Sequence, residues 1–283
     1  MEENIHQLYP NKRMATTSQE FLQMCANGQL ADAKRAAQNN PTYIACPNNH
    51  YAFQCACRNS QLRVIQWLLQ VKPDSNVDID VVGMDNNYAF LYACECGHTR
   101  VAKWLLQTQP DMDVNYEYVF NRVCENGHLR TAKWLLRRNP DLDVLANNEI
   151  ATNESAFRWA CSNAHMRVAQ WLRRVNPHIV SSDYESAFRG ACCRGHLRVA
   201  QWLLWVKPDI DISATNEFTF RHTCYHGHLR VAQWLLRVKP DINVGVVNNY
   251  AFRHAFQNDY ARVVRWLLPR QVKKSDLDAG FAL

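Results

Sequence analysis

Apolar positions recur along this chain with two superimposed periods. In the stretch ESAFRGACCRGHLRVAQWLLWVKPDIDI, residues 185 to 212, Phe188, Ala191 and Cys192 fall at i, i+3 and i+4, the spacing of one helical face. Gly195 interrupts the run. A second stripe of Leu197, Ala200, Leu203 and Leu204 follows, with Arg198, Gln201 and Trp205 on the opposite side. Pro208 closes it, because the residue before a proline is pushed towards extended backbone. The pattern predicts a helix, a tight turn at a glycine free to take positive φ, a second helix and an extended loop. Helices of about ten residues are not stable alone in water, so their apolar faces must be covered by neighbouring copies.

The longer period supplies those copies. Phe21, Phe53, Phe90, Phe120, Phe157, Phe188, Phe220 and Phe252 open eight of them, and fourteen residues on stands Trp67, Trp104, Trp134, Trp171, Trp202, Trp234 or Trp266, with Arg35 in the first copy. Four residues after the phenylalanine comes Cys25, Cys57, Cys94, Cys124, Cys161, Cys192 or Cys224, with Phe256 in the last copy. The tryptophans lie 37, 30, 37, 31, 32 and 32 residues apart, a spacing that predicts a solenoid. Residues 1–17 read as a leader or cap, 18–268 as the repeat array and 269–283 as a tail. The first copy, with Asp32 and Arg35 in place of apolar residues, and the last, with Asp259 and Tyr260 at the Gly-His position and a stop at Pro269, read as end caps. Two connections are longer than the rest, holding Asp74–Asn87 and Leu145–Glu154, and insertions in such arrays map to one face.

The GHLR at Gly127, Gly195 and Gly227, with GHTR at Gly97, resembles the ankyrin repeat, whose usual form runs T-P-L-H-x-A-A, two variable residues, G-H-L-E-V-V, leucines and G-A-D-V-N. The aromatic-rich openings and PDIDI endings further resemble the ankyrin arrays of large DNA viruses of protists. The resemblance implies an all-α ankyrin-type solenoid of about eight stacked helix-turn-helix repeats. It also implies a protein partner held in a concave groove by the residues before Gly-His and by the loop tips. Carried over by position, the varying members are Arg58, Glu95, Glu125, Arg194, Tyr225 and His226, joined by Tyr51, Tyr88, Tyr118, Phe218 and Tyr250 near the tips. The helix-starting Thr-Pro is absent, and Asn87, Ser155, Ser186 and Asn249 stand near enough to cap instead. Lys, Asn or Gln followed by Pro replaces the glycine after the second helix, which disfavours a left-handed cap there. Asn27, Asn59, Asn126, Asn163 and Asn258 precede the turn position and read as turn formers through left-handed backbone.

Composition narrows the class. With 47% apolar and 20% charged residues over 283 positions, the chain has material for a continuous core and is not a disordered polyelectrolyte. It holds no apolar run of membrane-spanning length, and MEENIHQLYPNKRM lacks the apolar region of a secretion signal. Eleven cysteines without such a signal point to reduced thiols and a cytoplasmic or nuclear compartment.

Candidate chemistry mostly dissolves into the ladder. HTCYHGH, His222 to His228, has the side chains of a zinc site. Its Cys224 and His228 nevertheless belong to columns shared by other copies, and a histidine satisfying neighbouring backbone groups is the better account. Cysteines one repeat apart sit on helices about 8–10 Å apart, beyond the roughly 7 Å a disulfide allows, so they read as small apolar fillers. No catalytic signature is present, and the repeated PD loops are punctuation rather than an acid/base pair. The sequence therefore predicts a non-catalytic, monomeric scaffold without metal or cofactor. One column departs from this: Arg63, Arg100, Arg130, Arg167, Arg198, Arg230 and Arg262 each stand four residues before a tryptophan, a spacing suited to cation–π pairing. A basic face of this kind is the alternative site, for nucleic acid or an acidic surface; against it stand the net charge of only +6 and the acids of the PD loops.

Overall fold

A computed structural model describes residues 16–44, 48–70, 83–140, 142, 156–177 and 179–275. Sixteen α-helices fall in these residues, as eight hairpins. They are α1 (Thr16–Asn27) with α2 (Leu30–Asn39), α3 (Asn48–Arg58) with α4 (Leu62–Gln70), α5 (Gly83–Glu95) with α6 (Thr99–Thr108), and α7 (Tyr116–Glu125) with α8 (Leu129–Arg138). The remainder are α9 (Ala156–Ser162) with α10 (Met166–Val175), α11 (Ser181–Cys193) with α12 (Leu197–Val206), α13 (Ala214–Tyr225) with α14 (Leu229–Val238), and α15 (Val246–Gln257) with α16 (Ala261–Ser275). The all-α helix-turn-helix expectation holds. The hairpins group into two units, Met1–Val119 with Arg130–Arg138, and Phe120–Leu129 with Asn139–Leu283.

Each hairpin turns on one left-handed residue. Gly28, Gly97, Gly127, Gly195 and Gly227 have φ between 75° and 80°, and Ser60, Ala164 and Asp259 take the same role in the other copies. The asparagines before the turn are not left-handed, contrary to the sequence reading. Asn59, Asn126 and Asn258 instead donate their side-chain N–H to the carbonyl four residues back, at 2.8, 2.9 and 2.9 Å, closing the end of the first helix. Ala164, at φ 64°, carries a side chain where glycine is otherwise favoured. Ala164→Gly is expected to stabilise the chain by about 0.5–1 kcal/mol, read as a rise in urea midpoint at constant slope.

The second helices end as the Lys-Pro and Asn-Pro sequences require. Gln109, Asn176, Lys207 and Lys239 adopt φ between −124° and −137°, and each donates its N–H to the carbonyl four residues back. Beyond them Ile179, Ile210, Ile212 and Ile242 tuck into the core, so the loop isoleucines are structural. Helix starts differ from the sequence reading. Ser186 is internal to α11, which begins five residues earlier, and Asn249 lies at φ 58° in a left-handed turn from Val247 to Asn249 within α15. Helix α16 runs through Pro269 to Ser275 rather than stopping there. In the last copy Phe256 is 66% exposed and stacks on Phe252. Ser155 and the Leu145–Glu154 connection lie outside the described residues, as does the Asp74–Asn87 connection up to Gly83.

The core is built from the phenylalanine and cysteine columns. Phe21, Phe90, Phe120, Phe157, Phe188 and Phe220 are at most 1% exposed, and all seven column cysteines are fully buried. Five of the column tryptophans lean on the phenylalanine of the preceding copy. Phe90 meets Trp134 at 6.3 Å in the first unit; Phe120 meets Trp171, Phe157 meets Trp202, Phe188 meets Trp234 and Phe220 meets Trp266 at 6.1–6.3 Å in the second. This repeated ring contact, edge-on at Phe90 and tilted in the others, couples one hairpin to the next. Trp205, outside the column, is 76% exposed.

Candidate functional site

The first helices and their turns carry the side chains that vary between copies. Arg58, Glu95, Glu125 and Tyr225 are the last residues of α3, α5, α7 and α13, while Arg194 and His226 are the first residues past α11 and α13. These ends are held by the next hairpin. His98 Nε2 lies 2.7 Å from the carbonyl oxygen of Arg58, and since a carbonyl only accepts, the ring is the Nε2–H tautomer and donates. His165, His196 and His228 donate in the same way to the backbone of Glu125, Ser162 and Cys193, and burial holds all three below their ordinary pKa of 6.5. Gln61 repeats the bond in its own copy, donating to Ala26 at 3.2 Å. The turn glycine is needed twice over. A Cβ on Gly127 would stand 2.4 Å from His165 Nδ1, and one on Gly195 would stand 2.6 Å from His228 Nδ1. The Gly-His histidines are thus committed to backbone carbonyls. Among the described residues no group of three or more His, Cys, Asp or Glu is placed to hold a metal ion.

In the first unit the exposed chemistry is phenolic. Tyr88 is 53% exposed and Tyr118 44%, and the Arg58 guanidinium lies 5.1 Å above the Tyr92 ring. Burial pushes the Tyr92 hydroxyl up, Arg58 opposes this, and Glu95, Tyr88 and Tyr118 add to it. Tyr88 and Tyr118, like Tyr51, Phe218 and Tyr250, sit in the opening turns of the first helices rather than at loop tips, because those helices begin earlier than the sequence suggested.

In the second unit Glu125 pairs with Arg122 at 2.5 Å. Arg194 donates to Asn163 Oδ1 and lies 5.4 Å above Trp159. Tyr225 contacts His226 at 4.8 Å and His254 at 5.3 Å, and Phe218 stacks on His222 at 3.9 Å. Arg194 and His226 line one groove of about 620 Å³, with Arg158, Arg189, Phe218 and His222 among its other walls. The sequence reading missed the arginines. Arg158, Arg189, Arg221 and Arg253 each follow the core phenylalanine of copies five to eight, where Leu22, Gln54, Leu91 and Asn121 stand in the first four copies. The repeated Phe-Arg pair was visible as the signal.

The second-helix arginine column, Arg63, Arg100, Arg130, Arg167, Arg198, Arg230 and Arg262, is exposed throughout. Its predicted pairing with tryptophan is not made among the described residues. The cations over column indoles are Lys103 on Trp134 at 6.0 Å and Arg270 on Trp266 at 4.4 Å. The half-buried indoles lean onto the preceding copy's phenylalanine, away from the solvated arginine one turn earlier. In the first unit Arg100, Lys103, Arg130, Lys133 and Arg137 line a shallower cleft of about 520 Å³ beside Trp134.

Burial pushes up the thiols of the seven column cysteines and of Cys55, and even that of half-buried Cys193 is pushed up to about 11. No described helix is long and apolar enough to cross a membrane. Residues 21–118 match a family model described as ankyrin repeats (3 copies), and residues 121–173 match one described as ankyrin repeats (many copies), together just over half of the chain. No curated protein matches the chain.

Proposed function

Because the chain belongs to the ankyrin-repeat family, whose repeats are generally protein-interaction modules, we propose that it is a non-catalytic scaffold gripping a protein partner by the ends of its first helices. One observation carries this reading. The core columns repeat from copy to copy, yet the residues at the ends of the first helices differ, from Arg58 and Glu125, whose carbonyls the Gly-His histidines hold, to Tyr225, whose carbonyl accepts from Asn258. Within each unit, a repeated frame presenting varied polar and aromatic groups suits a macromolecular surface rather than one reaction. Arg58, Glu95, Glu125, Arg194, Tyr225 and His226 are the contact residues in this proposal.

Capture from a lysate of the native cell tests it. Changing Glu95, Glu125 and Tyr225 together to alanine is expected to weaken capture about tenfold or more, with the circular-dichroism spectrum unchanged. Unchanged capture moves the site to the second helices, where the five-cation cleft beside Trp134 favours the alternative of a polyanion binder. A duplex probe separates the two. A phosphate binder making about six contacts loses on the order of a thousandfold in affinity between about 50 and 200 mM salt, and a protein scaffold shows no such affinity to lose.

A further inference from the structure

The groove of the second unit says more about what fills it. Arg158, Arg189, Arg221 and Arg253 recur at intervals of 31, 32 and 32 residues, one on each of α9, α11, α13 and α15. These helices pack in that order, α9 on α11, α11 on α13 and α13 on α15. Equivalent backbone positions on packed helices are about 8–10 Å apart, so the four arginines are rooted as a ladder with rungs at that interval.

Aromatic rings flank two of the rungs. Arg189 and Arg221 each lie 5.8 Å from the Phe218 ring, on which both converge, and Arg221 also lies 5.0 Å from Tyr250. A guanidinium beside a ring keeps its planar fork, the geometry that matches a carboxylate. Further contacts hold the rungs in place: Arg189 donates to Ser186 Oγ at 3.2 Å and Arg221 to the Thr215 carbonyl at 3.3 Å.

The charge of the groove is one-sided. Its walls include Arg158, Arg189, Arg194 and three histidines, and no Asp or Glu. The carboxylate acting on Arg158 is Asp183, buried in the first turn of α11, and Arg189 repels Arg158 in return. An anion seated between the rungs relieves that repulsion.

Extended polyproline II backbone has three residues per turn and rises about 3.1 Å per residue, so every third side chain falls on one side at about 9.3 Å intervals. That interval fits the ladder. We infer that the arginine-bearing face of α9, α11, α13 and α15, with the groove walled by Arg158 and Arg189 at one end of it, binds an extended acidic peptide with a carboxylate at every third residue, one for each arginine rung. This deepens the scaffold reading and rests on it. A nucleic acid is the poorer fit, because Trp159 already carries Arg194 and Phe218 carries Arg189 and Arg221, leaving those rings covered where bases would stack.

The test uses a fluorescein-labelled peptide of about four Glu-Pro-Ser triplets, matched in length to the rungs. Anisotropy with the full chain is expected to show saturable binding. A peptide with Gln for every Glu should not bind, and one with the same glutamates gathered at one end should bind several-fold more weakly. Arg189→Gln and Arg189→Glu are expected to weaken binding by about tenfold and more than tenfold respectively, with unchanged helical content. Equal binding of the periodic and clustered peptides overturns the ladder, as does tighter binding of single-stranded DNA or of phosphatidylserine vesicles. The native partner distinguishes this failure from failure of the scaffold reading. If Arg189→Glu captures it undiminished while the Glu95, Glu125 and Tyr225 triple variant does not, the ladder falls and the scaffold stands. If the parent chain captures nothing, the scaffold reading itself fails.

Discussion

Raising the pH to about 10 is expected to unfold this chain, with the midpoint set by its cysteine column. Cys25, Cys57, Cys94, Cys124, Cys161, Cys192 and Cys224 are fully buried, and burial pushes each thiol above its ordinary pKa of 9.0, that of Cys25 to about 12. A group with a raised folded pKa contributes its full stability below the unfolded value. That contribution is lost as pH climbs from the unfolded pKa towards the folded one. At about pH 10 the unfolded chain gains roughly 1.4 kcal/mol per thiol by ionising, while the folded chain keeps the same thiols neutral. Seven of them amount to roughly 10 kcal/mol, comparable with the whole stability of an ordinary domain. Circular dichroism followed from pH 8 upward should show helix lost steeply between about pH 9 and 10.5. Replacing Cys124, Cys161 and Cys192 with alanine should lower stability at pH 7 slightly, through lost packing, and move the alkaline midpoint upward. A midpoint that ignores these substitutions would assign the transition to tyrosine ionisation instead.

The column that sets this limit was legible in the sequence, and so was the frame around it. The Phe, Cys and Trp registers and the Gly-His turn announce hairpins, because a core shared between copies forces the same residue type to the same place. The Lys-Pro and Asn-Pro ends of the second helices were equally readable, since a proline acts on the backbone beside it. Details that depend on packing between copies were not. Whether a tryptophan meets the arginine one turn before it or the phenylalanine of the preceding copy depends on how one hairpin leans on another, and the lean wins at Trp134, Trp171, Trp202, Trp234 and Trp266. The asparagines before the turn deceived for a related reason. Their preference for left-handed backbone is real, but the next residue already takes that conformation, and the side-chain amide serves the helix end instead.

The candidate site was half legible. Positions at the ends of the first helices could be found by counting back from Gly-His, and Arg194, Tyr225 and His226 do stand around one face of the second unit. The Phe-Arg ladder escaped because a residue beside a core phenylalanine reads as helix surface until its neighbours are known. Phe218 shows what was missing: one ring drawing Arg189 and Arg221 together from two different hairpins.

Phe188→Ala is expected to cost about 3–5 kcal/mol and to split the unfolding of the second unit into two steps. Phe188 is 1% exposed, and its ring lies 6.1 Å from that of Trp234 in the following copy, so truncation opens a cavity and removes a tilted ring contact together. Stability in a repeat array is roughly a sum of intrinsic terms and nearest-neighbour interfaces, and the intrinsic terms of short helix pairs are weak or unfavourable. Weakening one interface by several kcal/mol therefore lets the hairpins on its two sides melt independently. Urea titration followed by tryptophan fluorescence should show a first transition carrying Trp234 and a second at higher denaturant. Trp205→Ala is the counterpart, because that indole is 76% exposed and its loss should change stability by no more than about 0.5 kcal/mol. The contrast isolates the column: two aromatic residues in neighbouring helices of one hairpin, one coupling two copies and the other coupling none. If Phe188→Ala melts in a single step within about 1 kcal/mol of the parent, the Phe–Trp contacts are not what joins the copies, and the shared aliphatic core must carry the coupling alone.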